Sequence, residues 1–102
     1  MQIARTEDVG RQTLKLSGRF DFNSHRDFRS AYEQALESGS AKTIVVNFEG
    51  VDYLDSSALG MLLLLREKAE ASGKQVELAG LRGTVKQVLD VANFGKLFTI
   101  RA

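Results

Sequence analysis

The run V-D-Y-L-D-S-S-A-L-G-M-L-L-L-L-R, residues 51–66, sets an aspartate and two hydroxyls directly ahead of the most apolar stretch of the chain. Carboxylate and hydroxyl oxygens placed there can accept from the unpaired N–H groups of a helix's first turn. One acceptor suffices for a cap. If Asp55 or Ser56 takes that role, Ser57 falls in the first turn with a spare hydroxyl that points outward. A spare hydroxyl can accept a phosphoryl group, which brings roughly −1.5 to −2 charges at neutral pH. Free amides and the helix dipole favour such charge at a helix N-terminus. The modification would therefore act on whatever docks there, not on the fold.

Other chemistries find little support. A serine hydrolase needs a base beside Ser57, but the one histidine, His25, falls in the first turn of the first helix, and no G-x-S-x-G elbow is present. Asp21, Asp52 and Asp55 match no calcium or zinc loop spacing. G-L-R-G at 80–83 is too short for a phosphate loop and reads as a turn. Without cysteine there is no disulfide framework and no thiolate metal site. The expectation is a protein that is not an enzyme and carries no cofactor and no metal.

At 102 residues the chain reads as one domain, 1–102, and its 43% hydrophobic and 26% charged content is ordinary soluble usage. Net charge is +1 with no run of like charges, which argues against a nucleic-acid or membrane surface. The apolar run Met61–Leu65, or Ala58–Leu65 if Gly60 is admitted, is far short of the roughly 20 residues that cross a bilayer. The opening M-Q-I-A-R-T-E-D lacks a secretory pattern, so a cytoplasmic location is expected.

The elements that position the serine pair follow from periodicity. Strands are predicted over 2–7 and 12–17, joined by a turn at Asp8-Val9-Gly10-Arg11, with Leu14 and Leu16 on one face. A helix is predicted over 24–38. Its stripe is Phe28, Ala31, Tyr32, Ala35 and Leu36, with Asn23 or Ser24 capping and Gly39 as a left-handed exit. T-I-V-V-N-F, 43–48, reads as a central strand covered on both faces. A helix over 56–72 stopped by Gly73, a strand over 75–79, a helix over 84–92 and an edge strand over 98–100 complete the chain. Strand–helix–strand units imply right-handed crossovers, so the expected fold is α/β, a mixed four- to five-stranded sheet with helices mainly on one face.

In the 56–72 helix, Leu59, Leu62, Leu63 and Ala69 form the predicted core stripe. Met61, Leu64 and Leu65 point elsewhere, covered by a neighbouring helix or, alternatively, left as an apolar patch for a partner.

G-R-F-D at 18–21, V-V-N-F at 45–48, D-S-S-A-L-G at 55–60 and L-L-x-L-R-x-x-A at 62–69 together resemble the STAS domain, above all the single-domain bacterial anti-sigma-factor antagonists. The resemblance covers nearly the whole chain, and D-S-S-x-L-G is its specific part. It implies that Ser57 is the phosphorylation site. The expected partner-binding set is Asp21, Asp55, Ser56, Ser57, Ala58 and Met61; the resemblance supplies Asp21, Asp55, Ser57 and Ala58, the last standing where many members have Gly. It further implies a partner switch acting on transcription. Unphosphorylated protein binds an anti-sigma factor or regulator kinase and frees a sigma factor or other target; phospho-Ser57 blocks binding; a Ser/Thr phosphatase restores it. The resemblance leaves a second reading, a non-switching subunit of a larger assembly such as a lipid-transport complex. A monomer or weak dimer is expected.

Overall fold

The computed structural model describes residues 1–101. The elements are β1 Gln2–Asp8, β2 Arg11–Phe20, α1 His25–Glu37, β3 Thr43–Leu54, α2 Ser56–Ala71, β4 Gln75–Ala79, α3 Gly83–Val91 and β5 Thr99–Ile100. Short 3-10 turns, Phe22–Ser24 and Phe94–Lys96, precede α1 and β5. The strands lie in chain order, β1-β2-β3-β4-β5; β1 pairs antiparallel with β2, and all other pairings are parallel. The α/β class and the mixed sheet are as the sequence predicts.

Alternation along the strands sends Leu14, Leu16, Ile44, Val46, Phe48, Val76 and Leu78 to one buried face. Phe28, Tyr32 and Ala35 of α1, five residues of α2, and Val85 and Leu89 of α3 join them in one core cluster. Each large side chain removed from water contributes about 1.5–3 kcal/mol. Val45, on the opposite face of β3, is 5% exposed, in keeping with a central strand.

β2 and β3 run further than the sequence indicates, to Phe20 and Leu54. Parallel pairing survives the turn-like residues because the register shifts between Lys15 and Ser17 and again between Gly18 and Arg19. Gly50 allows the close approach there; a Cβ on it would lie 2.9 Å from the Ser17 Cβ.

The caps of α1 also differ from the sequence reading. Asp21, not Asn23 or Ser24, opens the turn, its carboxylate accepting from the Asn23 N–H. The Ser24 hydroxyl is buried, accepting from the Asp21 N–H and donating to the Arg19 carbonyl. At the other end Ser38 leaves the helix in extended conformation, and Gly39 has no left-handed φ. Lys74 does part of the closing instead: its ammonium donates to the carbonyls of Ser38 and Ala41. Gly73 does stop α2, at φ 73°.

The buried stripe of α2 is Ala58, Met61, Leu62, Leu65 and Ala69. This corrects the predicted phase. Leu63 and Leu64 are exposed, Leu59 is half-buried, and Met61 and Leu65 are core residues.

Candidate functional site

The site lies where β3 ends and α2 begins, beside the turn that leads from β2 into α1. Asp55 holds these two segments together. One carboxylate oxygen caps α2, accepting from the Ala58 N–H at 3.0 Å, and the other accepts from the Phe22 N–H at 3.3 Å. The Asp55 N–H in turn donates to the Phe20 carbonyl at 3.3 Å. Beneath them an aromatic cluster fixes the same segments: the Phe20 ring lies 4.8 Å from Phe28 and 6.2 Å from Phe48. Tyr32 meets Phe28 edge-on at 5.4 Å.

With Asp55 as the cap, neither serine is needed for that purpose. Ser56 is exposed and Ser57 half-buried, both in the first turn of α2. Ser57 thus sits at the positive end of a sixteen-residue helix. Asp21 is half-buried at the same rim, 3.6 Å from the Arg19 guanidinium and occupied in its own turn.

Two members of the expected contact set are displaced. Ala58 is 0% exposed and Met61 4% exposed, because the inward face of α2 starts at Ala58 and recurs at Met61, Leu62 and Leu65. Their side chains pack the core and offer a partner no surface. Two exposed aromatics near the turn were passed over by the sequence reading. Phe22, bound through its N–H to Asp55, is 71% exposed. Tyr53 is 40% exposed, with the Arg19 guanidinium 3.9 Å from its ring centroid. A large aromatic between Asp21 and Asn23, in a turn where nothing demands it, was the available signal for Phe22.

The remaining candidates stay apart. His25 is exposed at the start of α1. Among the described residues Asp21, Asp52 and Asp55 form no group that could hold a metal ion. No helix of the described residues is long and apolar enough to cross a membrane.

Comparison with known proteins agrees with this architecture. The family model described as "Mlab, STAS domain" matches residues 3–100. A STAS-domain containing protein of Pseudomonas aeruginosa is 46% identical over 88 residues, 86% of this chain and 85% of that one. An anti-sigma F factor antagonist of Lysinibacillus sphaericus is 29% identical over 91 residues, 87% of this chain and 78% of that one. The Bacillus cell-fate determinant SpoIIAA, solved in its phosphorylated form, superposes with a TM-score of 0.74 at 22% identity, covering 99% of this chain and 92% of the other. The match along nearly the whole length, with the D-S-S-A-L-G turn at the end of β3, shows that the chain belongs to the STAS domain family.

Proposed function

We propose that this chain is an anti-sigma-factor antagonist whose binding is switched by phosphorylation of Ser57. The observation that carries the proposal is the division of labour at the start of α2. Asp55 takes the cap and the tie to Phe22, which leaves the half-buried Ser57 free of a capping role on a rim that also displays Phe22 and Tyr53. Exposed aromatics beside a rigid polar turn are the residue types that dominate protein–protein binding energy. The name of the Lysinibacillus relative points the same way.

Unphosphorylated, the rim docks on an anti-sigma factor, or on a regulator that is also the Ser57 kinase, and releases its target. The protein acts as a binding partner and catalyses nothing itself. A dianionic phosphate on Ser57 would have to be desolvated in that contact, and each 1.4 kcal/mol of uncompensated cost is a tenfold loss of affinity. The fold is spared, since the charge lies at the favourable end of α2. A Ser/Thr phosphatase resets the switch.

The test compares partner affinity for wild type, Ser57→Ala and Ser57→Asp, with intact mass before and after phosphatase treatment. Ser57→Ala should bind as unmodified wild type does and Ser57→Asp at least about tenfold more weakly. Equal affinities for all three, with no phosphate on protein from its native cell, would instead favour the non-switching subunit of a larger assembly.

A further inference from the structure

We propose that two copies of this chain associate through β1, joining their sheets into one continuous sheet across a two-fold axis at Thr6. This lies on a sheet edge that the Ser57 reading does not use.

β1 is an open edge strand of seven residues, Q-I-A-R-T-E-D, with no proline, no lysine and no break in its register against β2. Natural edges are usually blunted by such devices or by charge; the charges on β1, Arg5, Glu7 and Asp8, are of both signs, so a second copy can pair them rather than be repelled. The other sheet edge, β5, has only two residues. The direction of the free backbone groups follows from the hairpin. Its two-residue turn closes on the pair Asp8–Arg11, which must be hydrogen-bonded, and bonded pairs alternate along an antiparallel ladder. Gln2, Ala4, Thr6 and Asp8 therefore bond to β2. The N–H and C=O groups of Ile3, Arg5 and Glu7 point away from the sheet, and among the described residues no loop or helix backbone meets them.

Charge selects the register. With the axis at Arg5, like charges would face each other. With the axis at Ala4, Glu7 would find no strand residue opposite. With the axis at Thr6, Arg5 of each copy faces Glu7 of the other, and both pairs fall on the outward-bonding positions. Each pair then exchanges both backbone bonds and sets opposite charges side by side on one face. The same alignment brings Val9, 95% exposed at the turn, alongside Ile3 of the second copy. Both charged side chains are already held on their own chain: Arg5 donates to the Gln12 side chain at 3.2 Å, and Glu7 accepts from Ser38 and Ser40 at 3.4 and 3.5 Å.

Sedimentation equilibrium from micromolar to millimolar concentration tests this on the full chain. Wild type should move from the mass of one chain to that of two. Arg5→Glu faces Glu7 with a like charge and should weaken the dimer about tenfold, and Arg5→Glu combined with Glu7→Arg should restore it. Arg5→Pro removes an outward N–H together with the Arg5 side chain's bond to Gln12, but no ladder bond to β2, and should abolish the dimer; circular dichroism checks that each variant stays folded. Should Arg5→Glu unfold, Glu7→Arg poses the same question. A wild type that stays monomeric at millimolar concentration, or a dimer indifferent to Arg5→Pro and to the charge reversal, overturns the proposal.

Discussion

Asp55 concentrates two functions in one carboxylate, since it starts α2 and anchors the turn at Phe22. Asp55→Ala should therefore cost at least the 1–2 kcal/mol of a strong cap, read as a fall in the thermal midpoint of about 4–8 °C per kcal/mol. Asp55→Asn should retain most of the cap. Ser56 could have been the cap from sequence alone, because serine and aspartate serve that role equally well. The structure gives the role to Asp55, so Ser56→Ala should change stability by less than about 0.5 kcal/mol in urea unfolding. Tyr32 carries the pH prediction. Burial pushes its phenol above the ordinary 10.0, with Glu33 adding to the rise and Arg29 opposing it. The folded value thus exceeds the unfolded one, so this contribution is complete below pH 10.0 and is lost as pH climbs through the folded value. Tyr32→Phe should flatten that alkaline decline in urea midpoints. Ser57, Asp55 and Asp21 were legible as a group in the sequence, whereas Phe22 and Tyr53 were not. An exposed aromatic and a core aromatic look alike until the neighbours are known.

The helices and strands were legible because their apolar periods are clean, and α2 shows where that fails. Met61 to Leu65 are consecutive, with no polar residue to set the phase, so two stripes fit equally well. The small residues Ala58 and Ala69 decided it by letting α2 approach the core along their side. The extension of β3 was hidden for a different reason. Glu49, Gly50 and Asp52 read as turn residues; Gly50 pairs with Ser17 of β2 while Glu49 and Asp52 fall at the register shifts, an arrangement that depends on residues some thirty positions away. Two glycines give opposite predictions. Gly60 lies inside α2 with open space where a Cβ would stand, so Gly60→Ala should stabilise by about 0.5–1 kcal/mol, measured as a raised unfolding midpoint. Gly80 has φ +70°, and a Cβ there would come within 2.9 Å of the Glu49 nitrogen. Gly80→Ala should lower the midpoint by more than Gly60→Ala raises it.

In the whole molecule the parallel strands deliver Asp21, Phe22, Asp55 and Ser57 to one end of the sheet, while Lys74 fastens Ser38 and Ala41 by the α1–β3 connection. A change of charge at Ser57 should stay local. Hydrogen exchange of phosphorylated and unmodified protein should differ around residues 20–24 and 53–60 and match in β4 and the second half of α2. The Asp55 bridge bears on how fast such a rim can be recognised. Both segments are fastened before any other molecule arrives, so little freedom remains to be surrendered on contact. Capture should then proceed in a single kinetic phase without a slow rearrangement, and severing the bridge should slow arrival more than it hastens departure.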